Sequence, residues 1–438
     1  MKTRFIILFL LIGFIAIVTK AQVCDIKGDW TGKLSVYGNE IPLVFHFDGE
    51  KCTIDSPDQG AKGIPAQLER TAMGIKVAVP SINANYEGVN IGDSVMGTFK
   101  QHGQSFPLTL KPGSVKRNRP QTPTPPYPYQ AQEVNFRNGD AVLQGTLVTP
   151  ENVSCQTPVL LMVTGSGLQN RDEEVFEHKP FAVIADALAR QGFATLRYDD
   201  RGFGESKGDL VNVTTEDLKN DALAGVELLR KQFNRVGILG HSEGGTIGLM
   251  LAAEGKVDFV VSLAGGVVSF EKTLLEQNRW TLQKTGYSRD VIDRYCTALE
   301  SLFDDLKAGR NPETTNHGLP TELEKNLQIA KVQSSTPYMR YFLALDLTDR
   351  LGKITCPVLA LNGTKDRQVN SEENLNALMD RLAGQKEIKA IEGLNHMFQH
   401  CNTGDPSEYK DIEETFAPEA LEVITTWLKI NSKSLIRG

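Results

Sequence analysis

Two rhythms of apolar residues divide the chain. Over residues 22–115 the period is two: Ile41, Leu43, Phe45 and Phe47 alternate with other residues, and Asp48-Gly49 then offers a turn. The alternation returns at Ile75, Val77 and Val79, and again at Phe106, Leu108 and Leu110. Short strands parted by Gly, Asn and Asp predict a small antiparallel β domain, a sandwich or a barrel. Over residues 131–438, continuous apolar runs alternate instead with amphipathic stretches. Strands are expected at Pro158–Val163, Phe193–Tyr198, Arg235–Leu239, Val257–Leu263, Val358–Asn362 and Glu387–Ile391. Helices are expected at Phe181–Arg190, Glu216–Lys231, Thr246–Ala253, Ser371–Leu382 and Pro418–Leu428, and Thr214 and Asp217 have capping-box spacing. Apolar strands alternating with helices imply an α/β domain whose mostly parallel sheet is covered on both faces. From Gly265 to Thr355 the pattern is helical only. A helical cap over about 266–350 is therefore expected above the sheet's carboxyl edge, where ligands bind.

The flanking segments are different material. Lys2 and Arg4 precede the uncharged run Phe5–Thr19, and Lys20-Ala21-Gln22 follow, the layout of a secretory signal over residues 1–21. That run is shorter than the roughly 20 residues of a membrane-spanning helix. An exported protein, periplasmic or secreted, is expected, with no stable membrane span after cleavage. Five prolines in RPQTPTPPYPY, residues 119–129, predict an extended, semi-rigid linker over 116–130. None of the six cysteines forms a C-x-x-C pair, so no zinc ribbon or redox motif is indicated. Cys24–Cys52 is the favoured bridge among 15 possible full pairings, since both fall in one small domain. Composition is ordinary globular, 40% hydrophobic and 23% charged, and a net charge of −7 argues against a nucleic-acid partner, which would want a concentrated basic face.

The chemistry concentrates in Gly240-His241-Ser242-Glu243-Gly244, which follows the strand RVGIL and precedes the helix TIGLMLA. In that context G-x-S-x-G is a nucleophile elbow: a tight turn presents the serine hydroxyl at the sheet edge beside a helix N-terminus. A serine needs a base, and the base an orienter, in the chain order Ser, Asp or Glu, His. Three histidines lie downstream: His317 in the cap, His396 just after the last strand, and His400. Position selects His396 as the base. Asp366, in LNGTKD after the preceding strand, is the expected acid. The oxyanion hole is expected from the backbone N–H groups of Ser166, with Gly167 as runner-up, and of Glu243. Leu168, Met339 and Phe342 are candidate pocket residues. DDRGFGES, residues 199–206, and Arg171-Asp172 read as scaffolding ion pairs, and His46 and His102 as structural or solvated.

Together VTGSGLQNRD, YDDRGFGES, GHSEGG, PVLALNGTKD and GLNHMFQ resemble the α/β-hydrolase superfamily. TPYMRYFLALD and EETFAPEALEVITTWL resemble exported bacterial serine carboxylesterases with a small β domain in front. The resemblance implies an α/β-hydrolase fold and hydrolysis of small acyl esters through Ser242, Asp366 and His396. Neither a metal nor an organic cofactor is implied. Thr164 stands where many members have His, a departure in the oxyanion loop. Serine aminopeptidases share the scaffold, so a peptidase is the nearest alternative and an inactive binding protein a more distant one. Homodimerisation through the β domain stays open.

Overall fold

A computed structural model describes residues 26–36, 39–115, 117–312 and 317–435. The expected signal segment and Cys24 lie outside the described residues. The described chain forms two compact units, the second beginning at Arg117.

The first unit is a closed antiparallel barrel of eight strands joined in sequence order. They are β1 (Gly28–Val36), β2 (Asn39–Asp48), β3 (Lys51–Ser56), β4 (Ala61–Arg70), β5 (Gly74–Val79), β6 (Ala84–Ile91), β7 (Ser94–Gln101) and β8 (Gln104–Pro112). Pairing of β1 with β8 leaves no free edge. Period-two alternation sends Leu43, Phe45, Phe47, Val77 and Leu108 inward, where they fill the interior with Trp30 and Tyr86. Tyr86 is fully buried and its hydroxyl donates to Val95 O at 2.9 Å, so the ring's polar end is satisfied. Cys52 is a buried free thiol, which burial pushes up to about 12.

The second unit holds an eight-stranded sheet in the order β16-β15-β14-β13-β11-β12-β10-β9. Its strands are β9 (Tyr129–Asn138), β10 (Ala141–Pro150), β11 (Val159–Val163), β12 (Ala194–Tyr198), β13 (Val236–His241), β14 (Val260–Leu263), β15 (Val358–Gly363) and β16 (Lys386–Ile391). From β12 through β11 to β16 the pairing is parallel, whereas the β9–β10 hairpin joins antiparallel at the β12 edge. Val159, Leu161 and Val163 of β11 face one core; Leu160 and Met162 face the other. α2 (Thr215–Arg230), α3 (Glu243–Ala253) and α8 (Ser371–Arg381) cover the first face. α1 (Pro180–Arg190) and α9 (Pro418–Leu435) cover the second. Thr214 and Asp217 form the expected capping box on α2.

Between β14 and β15 the cap consists of α4 (Phe270–Lys284), α5 (Arg289–Lys307), α6 (Thr321–Ser334) and α7 (Pro337–Leu343). These helices share an apolar cluster that includes Leu299, Leu302, Phe303, Leu323 and Leu343. The proline-rich stretch differs from the expected spacer. From Arg117 onward it belongs to the second unit, fixed there by side chains described below. Among the described residues, no helix is long and apolar enough to cross a membrane.

Candidate active site

Ser242 alone separates β13 from α3, with its backbone at φ 52° and ψ −119°. Only glycine permits so close an approach of strand and helix. A Cβ on Gly240 would lie 2.0 Å from Gly244 O, and one on Gly244 would lie 2.0 Å from Val163 O. Holding a non-glycine residue in this region costs about 1–3 kcal/mol, which the surrounding packing must offset. The turn places Ser242 on the wall of a cavity of about 470 Å³ at the carboxyl edge of the sheet.

The loop after β15 carries Asp366. Its Oδ1 accepts the N–H groups of Gln368 at 2.7 Å and Val369 at 2.9 Å. Its Oδ2 lies 2.7 Å from His396 Nδ1, and both residues are buried. With Nδ1 donating to that carboxylate, a neutral imidazole keeps Nε2 as the acceptor. His396 lines the cavity that Ser242 lines. The two other downstream histidines are placed elsewhere. His317 faces Glu324 within the cap, and the exposed His400 lies 2.9 Å from both Glu414 and Glu419.

The loop expected to supply the oxyanion hole follows β11. Gly165 N–H donates to Glu173 Oε1 at 2.8 Å and is thereby committed. Ser166, next in the chain, lines the cavity, and Glu243 opens α3 beside Ser242. The Glu243 carboxyl is buried and accepts from Thr215 Oγ1 at 2.7 Å and from the Tyr338 hydroxyl of cap helix α7. Burial raises its pKa, while bonds from Tyr338, Thr215 and Ser166 act the other way. A cap residue is thus tied to the residue that follows Ser242.

Of the three candidate pocket residues, Met339 and Phe342 line the cavity and Leu168 does not. Leu168 is 46% exposed, because the turn at Gly167, with φ 96°, carries the next side chain away from the cavity. Phe342 packs on Phe270 with centroids 4.2 Å apart and stacks on Tyr338 at 5.8 Å. Among the described residues, those lining the cavity include no lysine or arginine and one carboxylate, Glu173.

Glu173 carries a role that the sequence did not disclose. Buried and held at φ 53°, it accepts from Gly165 N–H and lies 2.9 Å from His241 Nδ1. The opposite nitrogen, His241 Nε2, lies 2.9 Å from the carbonyl oxygen of His396. Both ring nitrogens face acceptors, so His241 donates twice and is an imidazolium. Burial alone would disfavour that charge, but Glu173 holds the His241 pKa above its ordinary value. One buried ion pair therefore joins the loop after β11, the elbow and the loop that carries His396.

The DDRGFGES segment braces the same loop. Asp200 accepts from Gln169 N–H at 2.8 Å and Thr164 Oγ1 at 2.9 Å, and burial pushes its carboxyl up to about 8. Asp199 accepts from Arg171, and Arg201 donates to Asp221 through two 2.6 Å bonds. Among the described residues, no group of three or more His, Cys, Asp or Glu is placed to hold a metal ion.

A serine elbow between a parallel strand and its helix, under a helical cap inserted after β14, defines an α/β-hydrolase. The chain belongs to the serine aminopeptidase S33 family, whose model matches residues 177–400. Esterase EstD of Thermotoga maritima is 29% identical over 273 residues, which make up 61% of this chain and 61% of EstD, so the chain spans about three fifths of that relative's length. Among solved structures, Est1E from Butyrivibrio proteoclasticus matches with a TM-score of 0.42 and 16% identity, over 70% of this chain and 99% of that one. Proline iminopeptidase of Mycobacterium smegmatis matches with a TM-score of 0.43 and 16% identity, over 69% and 100%.

Proposed function

We propose that the protein is an exported serine carboxylesterase acting on small acyl esters with an apolar or aromatic acyl group. Ser242 Oγ attacks the ester carbonyl carbon while His396 Nε2 takes its proton. Asp366 holds the imidazole and stabilises the imidazolium, and the N–H groups of Ser166 and Glu243 receive the developing oxyanion. Collapse of the tetrahedral intermediate breaks the bond to the alcohol, which leaves with the proton from His396. Water then adds to the acyl-enzyme, gives its proton to His396, and the acid departs as Ser242 regains its hydrogen.

The observation that carries this reading is one shared cavity holding Ser242 on its strained turn and His396 braced at 2.7 Å by Asp366. The cavity also favours esters over aminoacyl amides, although the family takes its name from an aminopeptidase. An aminopeptidase must receive a substrate ammonium, and Glu173, the carboxylate that lines the cavity among the described residues, already serves Gly165 and His241. Aromatic rings and thioethers offer an acyl chain apolar walls instead. Export rests on the signal-like layout of residues 1–21.

Ser242→Ala is expected to lower ester turnover by roughly 10⁴-fold or more while leaving the melting temperature nearly unchanged. Substantial turnover by the purified variant would overturn the assignment. A panel of acyl esters beside aminoacyl amides tests the bond preference; faster cleavage of the amides would replace esterase with peptidase.

A further inference from the structure

We propose that the start of the second unit, through Arg119 and Gln121, holds one wall of the acyl cavity and so determines which acyl groups fit. This rests on the assignment of Ser242 as the nucleophile and of the cavity as the acyl site. Neither residue reaches the reacting atoms; both are positioning residues.

The wall in question comes from two loops far apart in sequence. One carries Val175 and Phe176, the other Pro406 and Tyr409, and all four line the cavity. Phe176 and Glu177, with φ values of 50° and 67°, are the central pair of a tight turn that Val175 and His178 close by exchanging backbone hydrogen bonds at 3.1 and 2.9 Å. Arg119 grips the carbonyl at the tip of that turn. Its Nε and Nη2 donate to Phe176 O at 3.2 and 2.9 Å, a two-pronged grip that a guanidinium can make and an ammonium cannot. The Arg117 guanidinium lies 5.8 Å from the Phe176 ring centroid and adds a cation–π contact.

The same Arg119 also grips the second loop. Nη1 donates to Ile412 O at 2.7 Å and Nη2 to Lys410 O at 3.0 Å, directly after Tyr409. Gln121 continues the clamp. Its Oε1 accepts the N–H groups of Thr415 at 2.6 Å and Phe416 at 3.0 Å, and its Nε2 donates to Phe416 O at 2.7 Å. His178 closes the arrangement from the other side, with Nε2 2.9 Å from Tyr409 O and Nδ1 3.0 Å from Thr415 Oγ1. Two loops that share no strand are thus held together by side chains from a third segment. Without Arg119, the Phe176 carbonyl loses both charge-assisted donors, and its ring loses the fixed position that an acyl chain packs against.

The test uses the full chain and reads the cavity independently of ester or amide preference. Ser242 is labelled with an ethyl fluorophosphonate and with an octyl fluorophosphonate, and the ratio of second-order rates is compared. Arg119→Ala is expected to slow the octyl reagent about tenfold more than the ethyl reagent, the scale of a few lost pocket contacts. Arg119→Lys, which restores charge without the two-pronged grip, is expected to recover the ratio only in part. Equal losses with both reagents, or an unchanged ratio, would overturn the proposal. Phe176→Ala keeps it falsifiable should the Arg119 variants fail to fold. That substitution must change the octyl-to-ethyl ratio, and an unchanged ratio means the wall does not read acyl size. If neither reagent labels the unaltered chain at Ser242, the hydrolase reading falls, and this one with it.

Discussion

Glu173 sets how much of the site depends on a single charge. It accepts from Gly165 and balances the imidazolium of His241, which in turn holds the His396 carbonyl. Replacing it with glutamine keeps the shape and removes the charge. His241 must then shed a proton and give up one of its two bonds, leaving a buried acceptor without its donor. Glu173→Gln is expected to cost about 3 kcal/mol in urea unfolding at pH 6. It should also lower kcat more than it raises KM, since geometry rather than substrate contact is lost. The pH dependence has a definite sign. His241 has a raised folded pKa, so its contribution is complete below its ordinary value and is lost as pH rises through the raised one. The gap between the two proteins should therefore narrow at alkaline pH; a constant gap would refute the imidazolium. That Ser242 and His396 would share one cavity, with Asp366 beside His396, was legible in sequence because motif, order and strand position each restrict them. Glu173 was not, because its partner His241 lies 68 residues away and a single sequence carries no pairing information.

Among the elements, those with a strong period were readable, and those defined by partners were not. The barrel strands announce themselves through residues such as Phe45 and Val77, but closure depends on β1 meeting β8, which alternation cannot reveal. The β9–β10 hairpin escaped the strand reading although Asn138-Gly139-Asp140 is a sound turn sequence. Its outer strand carries polar residues on an edge, so no continuous apolar run marks it. His46 on β2 read as a lone histidine, yet register sets it between neighbouring strands. Its Nδ1 lies 2.7 Å from Asp29 on β1, and its Nε2 lies 3.0 Å from Asp55 on β3. Partial burial opposes the charge, but the two carboxylates raise the His46 pKa above its ordinary value. The contribution is present below pH 6.5 and disappears as pH rises through the raised value. Solvent screening keeps it under about 1 kcal/mol. Hydrogen-exchange protection of β1–β3, corrected for intrinsic rates, should fall more steeply from pH 6 to pH 9 in the unaltered chain than in His46→Gln. Equal slopes would show that the bridge contributes nothing to pairing.

For the whole molecule, the decisive boundary is where catalysis stops needing the chain before it. Proline density suggested a spacer over 116–130, because φ restriction and missing N–H groups are visible in sequence while side-chain docking is not. Arg119 and Gln121 move the boundary: the second unit begins at Arg117, and its first residues brace the loops that carry Phe176 and Tyr409. Two truncations separate the alternatives. A chain beginning at Arg117 retains the clamp and every proposed catalytic group, and should keep kcat on a small activated acetyl ester within about threefold. A chain beginning at Tyr129 keeps β9 and all later strands but loses Arg119 and Gln121. It should lose turnover of octanoyl esters much more than of acetyl esters, and its melting temperature should drop as the 406–416 loop loses its partners. If both truncations behave alike and fully, the proline-rich stretch is only a spacer. If the chain beginning at Arg117 folds yet loses kcat on the acetyl ester, the barrel itself takes part in building the site.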